Sequence, residues 1–226
     1  MSNTLHRRER GFTLVELSIV LVIIGLLIGA VLKGQELIDS ARMKSQMTQL
    51  QSYKTAASIF RDRYNGIPGD YNGAEERFGA TTDGGFGIAD GDADGLIEAN
   101  AGGTAEDEQF WAHLVATEML TGIGGDEFIL GEMLPSGKVG GGVNAISVAA
   151  NGNTRNWLRL GTPNTAGDTT GALMIPADAA ELDTQFDDGL ADSGDIQATG
   201  NNCQSGGAYT FSNDTRQCVF FYDTSL

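Results

Sequence analysis

Asp90-Gly91-Asp92-Ala93-Asp94-Gly95-Leu96-Ile97-Glu98 concentrates hard oxygen ligands in nine residues. Asp at the first, third and fifth positions and Gly at the sixth match the opening of a calcium-binding loop. There the carboxylates converge on one cation and glycine permits the sharp turn. The ligand set this spacing predicts for Ca²⁺ is Asp90, Asp92, Asp94, the main chain of Leu96, and Glu98. The twelfth position is Ala101, where that loop places a bidentate Glu, so a closing ligand has to come from Glu98, Glu106 or Glu108. Carboxylates this close repel one another unless a cation sits among them. The competing reading is a solvated acidic turn.

Three further features invite chemistry. Glu16 is a carboxylate inside an apolar run, where an ionised group costs roughly 2.5–3.5 kcal/mol and needs a partner. Cys203 and Cys218 are the only cysteines; an even count in an exported domain predicts one disulfide, worth ~3 kcal/mol for a loop of this length. His113 sits beside an apolar helical face with no Ser or Cys nucleophile motif around it, so it is read as structural and the chain as non-enzymatic.

The elements that must hold these residues divide by charge. Lys and Arg total 14 against 30 Asp and Glu, a net charge of −16. Residues 70–226 hold five of the basic and twenty-five of the acidic side chains. No nucleic-acid partner is expected from that surface. Glycine is abundant at 32 residues and proline scarce at four, which suits a fold rich in turns.

From Leu17 to Leu32 the only polar side chain is Ser18. Counted from Phe12, the run reaches ~31 Å as a helix, enough to cross a bilayer. A cleaved secretory signal is the alternative, with Arg7, Arg8 and Arg10 as its basic region. The length of the run, the presence of Glu16 and the lack of a small-x-small cleavage site after Leu32 argue against it. Basic residues before the span predict a cytoplasmic N-terminus and an exported acidic domain.

Arg10-Gly11-Phe12-Thr13-Leu14-Val15-Glu16-Leu17 resembles the class III signal of the type IV pilin and type II secretion pseudopilin superfamily. The resemblance implies cleavage between Gly11 and Phe12 by a membrane-embedded prepilin peptidase and N-methylation of Phe12. It implies that Glu16 pairs with the Phe12 amine of a neighbouring subunit during polymerisation. The implied partners are prepilin peptidase, other pilin or pseudopilin subunits and an inner-membrane assembly platform. The implied location is the inner membrane before assembly, with the C-terminal domain periplasmic, or extracellular in a filament. Many major pilins have Pro where this chain has Lys33, which favours a pseudopilin or minor pilin over a major pilin. A membrane-tethered calcium-binding or adhesive domain that never polymerises is the rival from another class.

The expected organisation is a leader at 1–11, a membrane helix at 12–34, its amphipathic continuation at 35–66, and an acidic domain at 67–226. Ile38, Met43, Met47, Leu50, Tyr53, Ala57, Phe60 and Tyr64 mark the buried stripe of the continuation, with Gln46 among the polar positions between them. Asn65-Gly66 before Pro68 predicts its stop. A second helix is expected over 104–120, capped by Thr104, and a capped surface helix within the acidic 180–189 segment. Strands are expected at 145–149, 157–160, 172–175, 208–211 and 219–222. The fold class is α+β and pilin-like: a long N-terminal helix packed on a small C-terminal antiparallel sheet with long acidic loops.

Overall fold

The computed structural model describes residues 11–99, 105–164, 168–212 and 214–226. The leader up to Arg10, Ala101 and the cap expected at Thr104 lie outside the described residues. The chain forms two compact units, one ending at Arg42 and the other spanning Met43–Leu226. The charge break near residue 69 falls inside the second unit.

Helix α1 (Leu14–Tyr64) is 51 residues long. Its first half has the length and apolar composition of a membrane span. Every large apolar side chain from Phe12 to Leu32 is exposed in the isolated chain. The helix ends where Asn65 adopts a positive φ of 55°, ahead of Gly66 and Pro68. This is the left-handed conformation that Asn tolerates better than most residues and that closes helices.

Within the second unit Met43, Met47, Leu50, Tyr53, Ala57 and Phe60 are buried, as their spacing of three and four predicts. Ile38 departs from the stripe: it is exposed and belongs to the first unit. Gln46 departs in the other direction and is fully buried. Its Oε1 accepts the amides of Lys138 (2.5 Å) and Val139 (3.3 Å), so a polar side chain is stable there because it caps a loop.

Four antiparallel strands build the main sheet, in the order β1-β2-β6-β3: β1 (Gly142–Ala150), β2 (Asn153–Gly161), β3 (Ile196–Thr199) and β6 (Val219–Asp223). The two-stranded β4 (Gln204–Ser205) and β5 (Ala208–Tyr209) stand apart. Strands β1 and β2 turn through Asn151-Gly152, both at positive φ (49° and 85°), the combination a two-residue hairpin with matching twist requires. Val143, Ala145, Leu158, Leu160 and Phe220 enter the core cluster with the α1 stripe. Trp157, Val219 and Phe221 form a second, smaller cluster with Ala150.

Two expectations are corrected. Residues 172–175 do not form a strand. Leu173 and Met174 donate to the Cys218 carbonyl and Met174 makes one isolated bridge, after which Pro176 opens α4 (Pro176–Phe186). Helix α4 lies at the surface as expected, with Glu181, Thr184 and Gln185 exposed, but it has no side-chain cap. Ile175 occupies the cap position, and Ala179, Leu182 and Asp183 are fully buried. Helix α2 (Ala74–Phe78) and strands β3 and β4 had no clear periodic signal in the sequence. Helix α3 (Glu106–Ala116) is shorter at its C-terminus than its pattern suggests, because Glu118 turns to a positive φ of 58°. Cys203 and Cys218 are disulfide-bonded and fully buried.

Candidate functional site

The N-terminal site is built from local chain geometry. Thr13 stands immediately before the first helical residue of α1, and Glu16 lies in its first turn. The Thr13 amide and hydroxyl both donate to Glu16 Oε2, each at 2.8 Å, and the Glu16 amide donates to Thr13 Oγ1 at 3.2 Å. This is a reciprocal capping box, satisfying orphan donors at a helix start. Gly11 and Phe12 precede it in non-helical conformation, and Phe12 is 88% exposed. Among the described residues a Cβ built on Gly11 would meet nothing within 4 Å, so no packing against them requires glycine there. The same holds for Gly25 and Gly29.

The acidic loop is organised differently from the expected ligand set. Asp90 turns away and accepts the Glu75 amide at the start of α2 (3.0 Å). Glu98 is exposed, and its amide donates to Glu106 Oε2 (3.1 Å). Leu96 donates its own amide to Asp94 Oδ1 (2.8 Å). Asp92 and Asp94 do come together, and their third companion is Asp70. One carboxylate oxygen from each of the three lies within 4.8 Å of the others. Asp70 lies more than twenty residues upstream, so no local spacing points to it.

Asp70 and Glu106 both hold the loop through its backbone amides. Asp70 accepts the amides of Asp94 (3.0 Å) and Gly95 (2.9 Å), while Glu106 accepts those of Asp92 (3.0 Å) and Glu98. Both are almost wholly buried, and burial pushes both carboxyl groups above their ordinary range against the pull of these amides. Gly91 is required by close approach: a Cβ there would lie 2.4 Å from the Asp70 backbone. Asn156 completes the frame, accepting the Ile97 amide and donating to the Gly95 carbonyl, both at 3.0 Å. Asp70 and Asp94 also line a cavity of about 460 Å³ with Arg61, Asn65 and Tyr71, which gives the cluster a path to solvent.

His113 is a structural residue here. It is fully buried, its Nδ1 accepts the Gly69 amide (2.9 Å), and its Nε2 donates to the Ala89 carbonyl (3.0 Å). That pattern fixes the neutral tautomer, and burial pushes its pKa down to about 4. A second acidic group, Asp183, Asp187 and Asp188, closes the end of α4. Asp183 accepts the Tyr209 hydroxyl (2.8 Å) and the Gly189 amide (3.0 Å), and burial pushes its pKa up to about 6.

Residues 6–32 match the family model for the prokaryotic N-terminal methylation motif. Gly11, Phe12 and Glu16 lie within that matched segment. Among solved structures it is similar to the major type IV pilin PilA1 from Clostridium difficile, at 15% sequence identity and a TM-score of 0.40, over 83% of this chain and 96% of that one. No curated protein matches the chain.

Proposed function

We propose that this chain is a structural subunit of a type IV pilus-like filament, cut by prepilin peptidase between Gly11 and Phe12, N-methylated on Phe12 and polymerised through α1. The observation that carries the reading is the methylation motif over residues 6–32, with one carboxylate at the start of the apolar run that ends at Leu32. The open surroundings of Gly11 support it further. Glycine there answers no packing need among the described residues, and a protease that must draw the backbone into a narrow site favours a residue without a Cβ. Other subunits of the filament and an inner-membrane assembly platform are the proposed partners. Before assembly the chain spans the inner membrane once, with its acidic unit on the far side. Lys33, in place of proline, favours a pseudopilin or minor pilin over a major pilin.

The test is intact mass and microscopy of material sheared from cells. A mature chain starting at methylated Phe12 and present in filaments is the expected result. Glu16→Ala is expected to leave cleavage and membrane level unchanged and to remove most filament incorporation. Incorporation unaffected by that change would favour a tethered domain that does not polymerise.

Calcium at the acidic loop is a second proposal, favoured by the convergence of Asp70, Asp92 and Asp94. The ligands this arrangement offers are those three carboxylates, in place of a set drawn wholly from residues 90–98. Binding only to the folded chain stabilises it, by ~2.7 kcal/mol at a hundredfold excess over Kd. Millimolar Ca²⁺ is expected to raise the melting temperature over that in chelator, and Asp92→Ala with Asp94→Ala to abolish the difference. Equal melting temperatures for the unaltered chain would leave the segment a solvated turn.

A further inference from the structure

We propose that Asn72 is a modification site: its side-chain amide converts without an enzyme to a carboxylate, which joins Asp70 and Asp94 on the wall of one cavity. Asn followed by Gly occurs three times in the chain, as Asn65-Gly66, Asn72-Gly73 and Asn151-Gly152. A glycine in that place leaves the attacking backbone nitrogen unshielded, because it has no Cβ. By local sequence the three pairs are alike. The structure separates them.

Asn72 is exposed, and among the described residues neither its side chain nor the Gly73 amide has a hydrogen-bond partner. The nearest atom that a Cβ on Gly73 would meet is the Tyr71 hydroxyl at 3.8 Å, which leaves room for a ring to close. Asn65 is exposed too, but a Cβ on Gly66 would lie 2.6 Å from the Tyr71 ring. That ring packs on Phe60, Tyr64 and Phe78 and has nowhere to swing, so the first pair is crowded where it must bend. Asn151 is tied down: its Nδ2 donates to the Ala191 carbonyl (2.8 Å) and its Oδ1 accepts Gln204 Nε2 (3.2 Å).

The reaction needs only water. The Gly73 nitrogen, having lost its proton to hydroxide, bonds to Asn72 Cγ, and ammonia leaves to give a cyclic imide. Water then opens the imide at either carbonyl. Opening at Cγ restores the original backbone with an aspartate side chain, and opening at the main-chain carbonyl gives a β-linked aspartate. One water enters, one ammonia leaves, and nothing is oxidised or reduced.

The product changes the charge of a defined place. Asn72 lines the 460 Å³ cavity in which Asp70 and Asp94 face Arg61. A third carboxylate there strengthens the pull on a divalent cation. This last consequence rests on the calcium reading above; the modification itself does not.

The experiment incubates the detergent-solubilised full-length chain at mildly alkaline pH, folded and in denaturant, and follows all three pairs by peptide mass mapping. In the folded chain acid at residue 72 is expected to accumulate faster as pH rises. It should run about tenfold ahead of residue 151, the scale of a net hydrogen bond or two that Asn151 must break. Denaturant is expected to level the three pairs. No acid at residue 72 in the folded chain, or a lead over residue 151 that persists in denaturant, overturns the proposal. Asn72→Asp and the unreactive Asn72→Ser then test the consequence: millimolar Ca²⁺ should raise the melting temperature more in the first than in the second. If the unaltered chain shows no rise, the calcium reading fails and the modification stands. If it does show one and the two variants rise equally, the added charge does not reach the cation and that consequence falls.

Discussion

Glu16 and Glu106 are both acidic residues of a first helical turn, Glu106 beside Asp107 and Glu108, and they occupy opposite settings. Glu16 is exposed in the unit ending at Arg42 and, among the described residues, is held only by Thr13 within its own turn. Glu106 is buried in the second unit and accepts amides from a loop eight and fourteen residues away in sequence. The first carboxylate contributes nothing to the packing of the described residues beyond capping its own helix. The second is consumed by the fold. What marks a carboxylate as functional depends on its background: one charge among apolar residues stands out, whereas among twenty-five acidic side chains the sequence does not distinguish the few that the fold buries.

Glu106→Ala is the strongest way to break this comparison. It leaves the Asp92 and Glu98 amides without their acceptor, and hydrogen bonds to a charged group are worth about 1.5–3 kcal/mol each. A loss of roughly 3–5 kcal/mol is expected in denaturant unfolding of the detergent-solubilised chain. Glu16→Ala, measured alongside, should leave that stability within about 0.5 kcal/mol of wild type. A similar loss in both would erase the distinction between the two carboxylates.

Acid titration sharpens the contrast inside the second unit. His113 is held neutral with its pKa lowered to about 4, so its stabilisation is complete above its ordinary value of 6.5 and falls as pH drops to 4, by about 3 kcal/mol. Asp183 has the opposite sign. Its pKa is raised to about 6, so its contribution is full below 3.8 and is lost as pH rises through 6. Between pH 6 and 4 the two oppose each other, and the wild-type stability profile should be nearly flat with respect to this pair. Asp183→Asn should steepen acid destabilisation, and His113→Gln should turn it into acid stabilisation over the same range. Parallel profiles for both variants would refute the opposition.

The smallest expected effect is at Asp90. It caps the start of the short helix α2 from an exposed position, so Asp90→Ala should cost about 1 kcal/mol. It should also leave any calcium-dependent rise in melting temperature intact, since Asp90 stands outside the Asp70, Asp92 and Asp94 cluster. Loss of that rise would return Asp90 to the ligand set.

The parts of the molecule governed by near neighbours were legible in the sequence. Helix α1 follows from an apolar run without proline and a stripe at spacings of three and four. Its stop follows from Asn65-Gly66, and the Cys203–Cys218 bond from a count of two. Strands β1, β2 and β6 were legible from alternating or β-branched runs, while β3 is held by β6, twenty or more residues on, and β4 is only two residues long, too short for a periodic signal. For Gln46, the acceptor role depends on a loop more than ninety residues away, and nothing in its own window reveals it.

The sequence by itself determined the N-terminal motif, because Gly11, Phe12, Thr13 and Glu16 stand close together along one helix start. Only the tertiary structure decided which carboxylates meet. Asp70 joins Asp92 and Asp94 because the chain after α1 passes beneath the acidic loop, with Gly91 against its backbone, while Asp90 is drawn off to α2. Spacing fixes which side chains share a helix turn or a strand face. Convergence across a folded domain is fixed by packing, where burying Asp70 and Glu106 is tolerable only because four backbone amides are brought to them.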